Sequence, residues 1–356
     1  MEYKGRYEAF DTSRIRTYPL AGRRNKVTLQ DMVHPNAVAG LKLDVPVETR
    51  RLIAEVAAAA TAARMNGRPV ILFTGAHLVK NGLGPLVIDL VRRGVLTLVA
   101  GNAATAIHDF ELALIGQTSE DVPQALERGE FGMAREFAYF NTALAEGNRL
   151  KLGFGESLGR TICDGDFRRT VLARLANHGG PADFGHPDVS ILAACYEARI
   201  PFTVHAGIGT DVTDQHPSFD GAVKGACSGR DFLIFARHVT ELAGGVVLNV
   251  ASAVTGPEVL LKAVSMAANV GKPPHGLTTA DFDLRPHSPG QVKDESAPGY
   301  YFRDQKSIVT RIPAAFGGKG LYIFGNQKLT LPLLYLALTP PSARAPTKAP
   351  TVREGT

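Results

Sequence analysis

The chain contains no tryptophan, and its three cysteines, Cys163, Cys195 and Cys227, stand far apart. That spacing fits neither a disulfide framework nor the paired ligands of a zinc site. No apolar run reaches the roughly 18–20 residues of a membrane span, and the opening MEYKGRYEAF holds no apolar signal core. The expectation is a cytoplasmic protein without a membrane partner. The net charge of +5 is carried by the ends. Residues 1–30 hold seven Lys/Arg against three Asp/Glu, and residues 340–356 hold three against one, so the body is slightly acidic. A basic face for nucleic acid is therefore not indicated.

Several signatures are also missing. There is no G-x-G-x-x-G fingerprint, because Gly82-Leu83-Gly84 and Gly207-Ile208-Gly209 both lack the third glycine. There is no phosphate-binding G-x-x-x-x-G-K-[ST]. A metal site could draw on His77, His108, Asp109, His205 or His216, but no pair has the H-x-x-x-H spacing of one helix face. The expectation is no metal, which leaves a metal-dependent hydrolase as the least favoured reading.

What is present centres on residues 69–111. Pro69–Phe73 is a buried-strand pattern ending in Thr74-Gly75-Ala76-His77. Leu83–Arg93 has helical apolar spacing, with Pro85 in its first turn and Gly94 at its end. Val95–Ala100 is a second strand, closed by Gly101-Asn102. Strand, helix and strand this close make a βαβ unit with parallel strands. Similar alternation follows. Helices are expected over Glu48–Met65, Ala106–Ile115, Phe131–Glu146, Phe167–Ala176, Ser190–Arg199, Arg230–Leu242, Pro257–Asn269 and Thr330–Leu338, with a helix start at Thr118. Strands are expected over Pro201–His205, Val246–Val250, Lys306–Ile312 and Leu321–Phe324. The Gly-rich stretch Leu152–Ile162 is ambiguous, and Asp281–Pro298 reads as a long loop. The pattern predicts a Rossmann-like three-layer α/β sandwich with a mostly parallel sheet. Residues 1–30 read as an arm, 31–339 as one domain and 340–356 as a disordered tail.

Ligands of open parallel sheets bind beyond the carboxyl ends of the strands. The polar residues predicted there include Thr74, His77, Lys80, Asn102, His108, Asp109, His205, Thr210, Asp211, Asp214 and His216. Each alone reads more readily as a cap or a satisfied buried group. Together they mark a cleft.

The runs PVILFTGAH, IPFTVHAGIGTDVTDQHPSFDG and GGVVLNVASAV resemble deoxyhypusine synthase and its bacterial and archaeal relatives, in order over roughly residues 50–340. The resemblance implies a Rossmann-like fold, NAD as cofactor and a homotetramer. It implies NAD contacts at Thr74, Gly75, Ala76, Thr210 and Asp211. That family's catalytic lysine follows its Gly-Gly-Val-Val run. Here Leu248 and Asn249 follow, and neither is an amine nucleophile. Lys306, Lys80 and Lys319 are the candidates to replace it. The segment LTLVAGNAATAIHDFE also resembles NAD-binding ornithine cyclodeaminase-type domains, with the pattern falling on Ala100, Gly101, Asn102, Ala103, His108, Asp109 and Glu111. These resemblances imply an enzyme that uses NAD to oxidise a C–N bond of a small amine or amino acid to an imine. Asn102 would join the cofactor contacts. His108, Asp109 and His216 would be catalytic, and Asp214, Glu156 and His205 would bind substrate. The alternative is a catalytically inactive NAD-binding or structural homo-oligomer.

Overall fold

The computed structural model describes residues 4–175 and 180–340. All but the first residue of the expected disordered tail lies outside them. Eight strands occur among the described residues: β1 (Asn25–Thr28), β2 (Val70–Thr74), β3 (Leu98–Gly101), β4 (Gln117–Glu120), β5 (Phe202–Val204), β6 (Val246–Val250), β7 (Thr278–Asp283) and β8 (Lys319–Phe324). Six form one sheet in the order β5-β3-β2-β6-β7-β8, every pair parallel. Counted along the chain within that sheet, the order is 3-2-1-4-5-6, that of the doubly wound dinucleotide-binding fold. The Rossmann-like sandwich read from the sequence is therefore the architecture found.

The period-two alternation of the strands explains the three layers. In β2, Val70 and Leu72 enter one core with the helices Val47–Met65, Gly84–Arg92, Ala103–Ile115 and Gln327–Leu338. Ile71 and Phe73 enter the other with Gly221–Val239 and Thr255–Asn269. Both faces are covered, so the strand is apolar throughout, as parallel strands are.

The edge strand β5 is guarded rather than open. The Asp231 carboxylate, from the helix Gly221–Val239, accepts the outward N–H of Val204 at 2.7 Å and that of Gly155 at 3.0 Å. One carboxylate thus blunts an edge and caps the helix Phe154–Cys163, which lies over it. That helix is the stretch whose glycines made the sequence ambiguous. A Cβ on Gly155 would stand 1.8 Å from the Phe202 carbonyl oxygen, so the glycine serves packing.

Three elements differ from expectation. The segment expected as a strand from Lys306 to Ile312 is instead a π-helix, Gln305–Arg311, followed by a short α-helix. Its β-branched residues fill a core from a helix, with Ile308 and Ile312 buried in the second cluster. The expected loop Asp281–Pro298 begins inside β7, whose last three residues are Asp281–Asp283. The helix expected to start at Thr118 begins at Val122, because Gln117–Glu120 pairs antiparallel with β1. That pairing stitches the end of the expected N-terminal arm to the body.

At the carboxyl end of β5, His205 stacks on Phe73 with centroids 5.4 Å apart and meets the edge of Phe235 at 5.2 Å. Burial pushes its pKa down to about 3. A histidine depressed in the folded state contributes stability that is present above its ordinary value near 6.5 and lost as pH falls toward the folded value.

Two outcomes follow. A Cβ at Gly75 would lie 2.0 Å from the Ala251 carbonyl oxygen, a backbone atom. Gly75→Ala is expected to lower unfolding stability by about 1–3 kcal/mol, read by urea titration. His205→Phe is expected to gain on the wild type as pH falls from about 6.5 to 4, by up to about 1.4 kcal/mol per pH unit. Denaturant midpoints across that range check it, and a constant difference would contradict it.

Candidate functional site

The strand order reverses between β2 and β6. After β2 the chain turns to helix Gly84–Arg92 on one face. After β6 it turns to helix Thr255–Asn269 on the other. Diverging connections leave a crevice above the two strand ends, which is where this architecture takes ligands. The Gly75 N–H donates to the Val250 carbonyl at 2.9 Å, extending the pairing one step past the strands. Ala251 follows with φ of 53°, a left-handed conformation costly for a residue with a Cβ.

The helix after β6 starts at this crevice without a side-chain cap from Val254. The Gly256 N–H is satisfied by the Ser252 hydroxyl at 2.9 Å, and Pro257 has no N–H to offer. Glu258 in the first turn is drawn away to Lys262 and Arg303. The positive end of a fifteen-residue helix therefore faces the switch point, a suitable place for an anion.

The predicted cofactor residues divide. Thr74 is fully buried, with its hydroxyl turned to the Gly75 carbonyl, so only backbone at Thr74–Ala76 can meet a ligand. Asn102 is the cap of helix Ala103–Ile115, accepting the Thr105 N–H at 2.9 Å. Thr210 is exposed and hydrogen bonds to Asp211. Asp211 and Asp214 converge on Lys224, at 2.8 and 2.5 Å. All three of these ionic side chains are nearly excluded from solvent, so the loop after β5 is closed by an internal ion triad. Lys224 lies within a helix pattern that gave no hint of it.

Among the predicted catalytic residues, His108 stands in the most organised setting. Its Nδ1 lies 2.7 Å from the Thr118 hydroxyl. That hydroxyl donates to the Glu111 carboxylate at 2.5 Å. Its single proton is thereby committed, so the Thr118 oxygen accepts a hydrogen bond from His108 Nδ1–H, and Nε2 is the nitrogen without a proton. Burial alone would raise the Glu111 pKa, but the neighbouring imidazole and Arg23 outweigh it and hold the carboxyl at about 2. Arg23 reaches Glu111 at 2.9 Å. His77, exposed at the end of β2, is shifted down by partial burial, Lys80 and His108.

Asp109, the next residue, does something else. It is buried, and its oxygens accept the Ser190 hydroxyl at 2.6 Å and the N–H groups of Ile191 and Leu192 at 2.7 and 3.1 Å. Burial raises its pKa to about 6 despite these bonds. It anchors helix Ile191–Glu197 and has no free oxygen for catalysis. His216 is likewise a loop anchor, with Nδ1 accepting the Ser218 N–H at 3.0 Å and burial lowering its pKa to about 4. His205 sits in the aromatic layer described above. Glu156 lies outside β5, away from the switch point. The structure thus groups Gly75, Ala76 and His77 with β6, and disperses Asp109, Glu156, Asp214 and His216.

On the far side of β6 the sequence reading missed a buried polar row. Asn249 donates to Asp281 at 2.7 Å, and Asp281 lies beside Asp283 and Asp304. Arg285 bridges Asp283 and Asp304. Burial and then the charge of Asp304 raise the Asp281 pKa well above the carboxylate range. Of the three lysines considered as replacements, Lys319 is exposed and paired with Glu55, and Lys80 is half-buried. Lys306 is buried in the π-helix with Nζ over the Tyr300 ring, where burial, then Arg311 and Arg303, lower its pKa.

No helix among the described residues is long and apolar enough to cross a membrane. No family model matches the sequence, and no curated protein matches it. Solved structures resemble it in fold. One is the apo form of ArgZ, an arginine dihydrolase from the ornithine-ammonia cycle in cyanobacteria, at 16% identity and a TM-score of 0.44. That match covers 83% of this chain and 33% of ArgZ. Another is AgrE in a ternary complex with ornithine and NAD+, at 16% identity, TM-score 0.46, and 84% and 34% coverage. A third is a conserved putative LOR/SDH protein from Methanococcus maripaludis S2, at 16% identity, TM-score 0.44, and 86% and 73% coverage. The chain therefore spans about a third of the length of the first two.

Proposed function

We propose that the protein binds NAD across the crevice between β2 and β6 and oxidises a C–N bond of a small amine or amino acid to an imine. The observation that carries the reading is the 3-2-1-4-5-6 order of an all-parallel sheet, with the amino end of a fifteen-residue helix at its switch point. The residues fit a dinucleotide. The backbone at Gly75–Ala76 ends β2 beside β6 at the switch point, and the amino end of helix Thr255–Asn269 suits the pyrophosphate. The sequence resemblances to deoxyhypusine synthase and to ornithine cyclodeaminase-type domains support the same cofactor and class of substrate. A homotetramer is part of that reading.

Bound NAD supplies the hydride acceptor. The chain supplies the base. His108 Nε2 takes the proton that leaves the substrate nitrogen as the C–H hydride departs. Glu111, kept ionised by Arg23, stabilises the resulting imidazolium through the Thr118 hydroxyl. A covalent lysine route has no residue at the family position. Leu248 is buried in the core on the opposite face of β6 from Asn249. That same observation favours a second reading, NAD binding without turnover.

Calorimetric titration with NAD tests the crevice. The wild type is expected to bind one equivalent. Val254→Asp places a capping carboxylate at the helix end and is expected to weaken binding at least tenfold, about 1.4 kcal/mol, without loss of folding. Absence of NAD binding by the wild type would overturn the proposal. His108→Ala is expected to keep NAD binding within about twofold while abolishing NADH formation over a panel of amines and amino acids. Tight NAD binding with no NADH formation by the wild type would select the second reading.

A further inference from the structure

A cavity of about 770 Å³ lies along the outer side of β5, toward its amino end and two strands removed from β2. Its walls are the helices Phe154–Cys163, Ile191–Glu197 and Gly221–Val239. Neither the crevice nor the His108 chain contributes to it. The floor is fully buried: Leu192, Cys195 and Asp231 are each 1% exposed, and Phe202 is 4% exposed. The rim is open, with Glu156, Glu197 and Arg199 exposed. A deep floor beneath an open rim is the form of a small-molecule site, and the volume lies in the usual range of about 300–1,000 Å³.

The lining has a clear chemical bias. Leu192, Ile200, Pro201, Phe202 and Ile234 make an apolar wall. Four carboxyl groups, from Glu156, Asp164, Glu197 and Asp231, face one cation, Arg199. Asp164 is bound to Arg160 at 3.0 Å, and Glu197 is loosely held by Arg92 at 3.9 Å. Glu156 has no cationic partner among the described residues. Asp231 Oδ2 accepts two backbone N–H groups, but no positive charge balances the carboxyl at the floor. Burial raises its pKa to about 7, and Glu156 adds to the rise. An arriving cation would find one unpaired carboxylate at the rim and a second uncompensated one below.

We infer that this cavity is a second binding site, taking a small organic cation with an ammonium or guanidinium head and a short aliphatic stem. The head lies against Glu156 and above Asp231, and the stem lies on Ile200, Phe202 and Ile234. The site is separate from the dinucleotide crevice, so occupation does not require NAD.

The probes are butylguanidinium, with butanol and butyrate as the neutral and anionic counterparts. Titration into the full chain, followed by methyl NMR, is expected to saturate at one equivalent and to shift the methyls of Leu192, Ile200 and Ile234. Glu156→Gln and Ile234→Trp are each expected to weaken binding at least tenfold, the first by removing charge and the second by filling the cavity. Their thermal midpoints and NAD affinities should stay at wild-type values. Butyrate should not bind, and butanol should bind at least tenfold more weakly. Failure to saturate would overturn the inference. So would equal binding of butanol, or shifts confined to Val250 and Val254 at the crevice. A wild type that fails to bind NAD would refute the proposed function and leave this test unaffected.

Discussion

The structure depends on β2 and β6 lying side by side. They come from distant parts of the sequence, yet their pairing builds the centre of the sheet and divides it into two halves. The hydrogen bond from Gly75 to the Val250 carbonyl carries the pairing to the point where the two chains part. Contact there is so close that a side chain at position 75 would run into the backbone of Ala251. Ala251 in turn holds a left-handed conformation, which starts the turn into helix Thr255–Asn269. Close pairing, backbone strain and the placing of a helix start therefore share one cause. The strands must separate abruptly, and the space they leave is the crevice.

Buried charge does much of the remaining positioning, through hydrogen bonds or ion pairs close at hand. Asp231 fastens an edge strand and the start of a helix. Asp109 fastens the start of another. Lys224 gathers Asp211 and Asp214 into a closed loop. Arg285 does the same for Asp283 and Asp304, two of the acidic trio beside β7. Unpaired charges of this kind would cost several kcal/mol each on burial. Paired, they fix geometry that apolar packing alone would leave adjustable. The same logic separates architecture from chemistry: a carboxylate whose oxygens are all bonded is holding something in place, whereas His108 keeps one nitrogen uncommitted.

Much of the fold was legible because parallel strands covered on both faces are simple in sequence. Val70–Phe73 is apolar without interruption, Val246–Val250 is broken only by Asn249, and glycines stand close to both. β7 was hidden because its carboxyl half carries Asp281 and Asp283, and the partner that lets Asp281 be buried, Asn249, is remote in sequence. The π-helix was hidden because Ile308, Val309 and Ile312 have strand-forming side chains, and only the surrounding core shows that they serve a helix. The site was less legible than the fold. Polar residues after strands were identifiable as a group, but the sequence could not tell a cap such as Asn102 from a ligand-facing residue. That distinction depends on which N–H groups lie within reach.

His108 and Asp109 show why adjacency in sequence misleads. They belong to one pattern, His-Asp-Phe-Glu, and invite a joint role. On a helix, consecutive residues point about 100° apart, whereas residues three apart share a face. Asp109 therefore turns inward to Ser190 and helix Ile191–Glu197, while His108 shares its face with Glu111. The working partner of His108 is the residue three positions on, reached through a hydroxyl from β4. β4 is held by β1, and Arg23 lies just before β1, so the amino-terminal segment completes the chain that orients the imidazole. What reads in sequence as a peripheral basic arm is, by this path, joined to the most ordered histidine near the crevice.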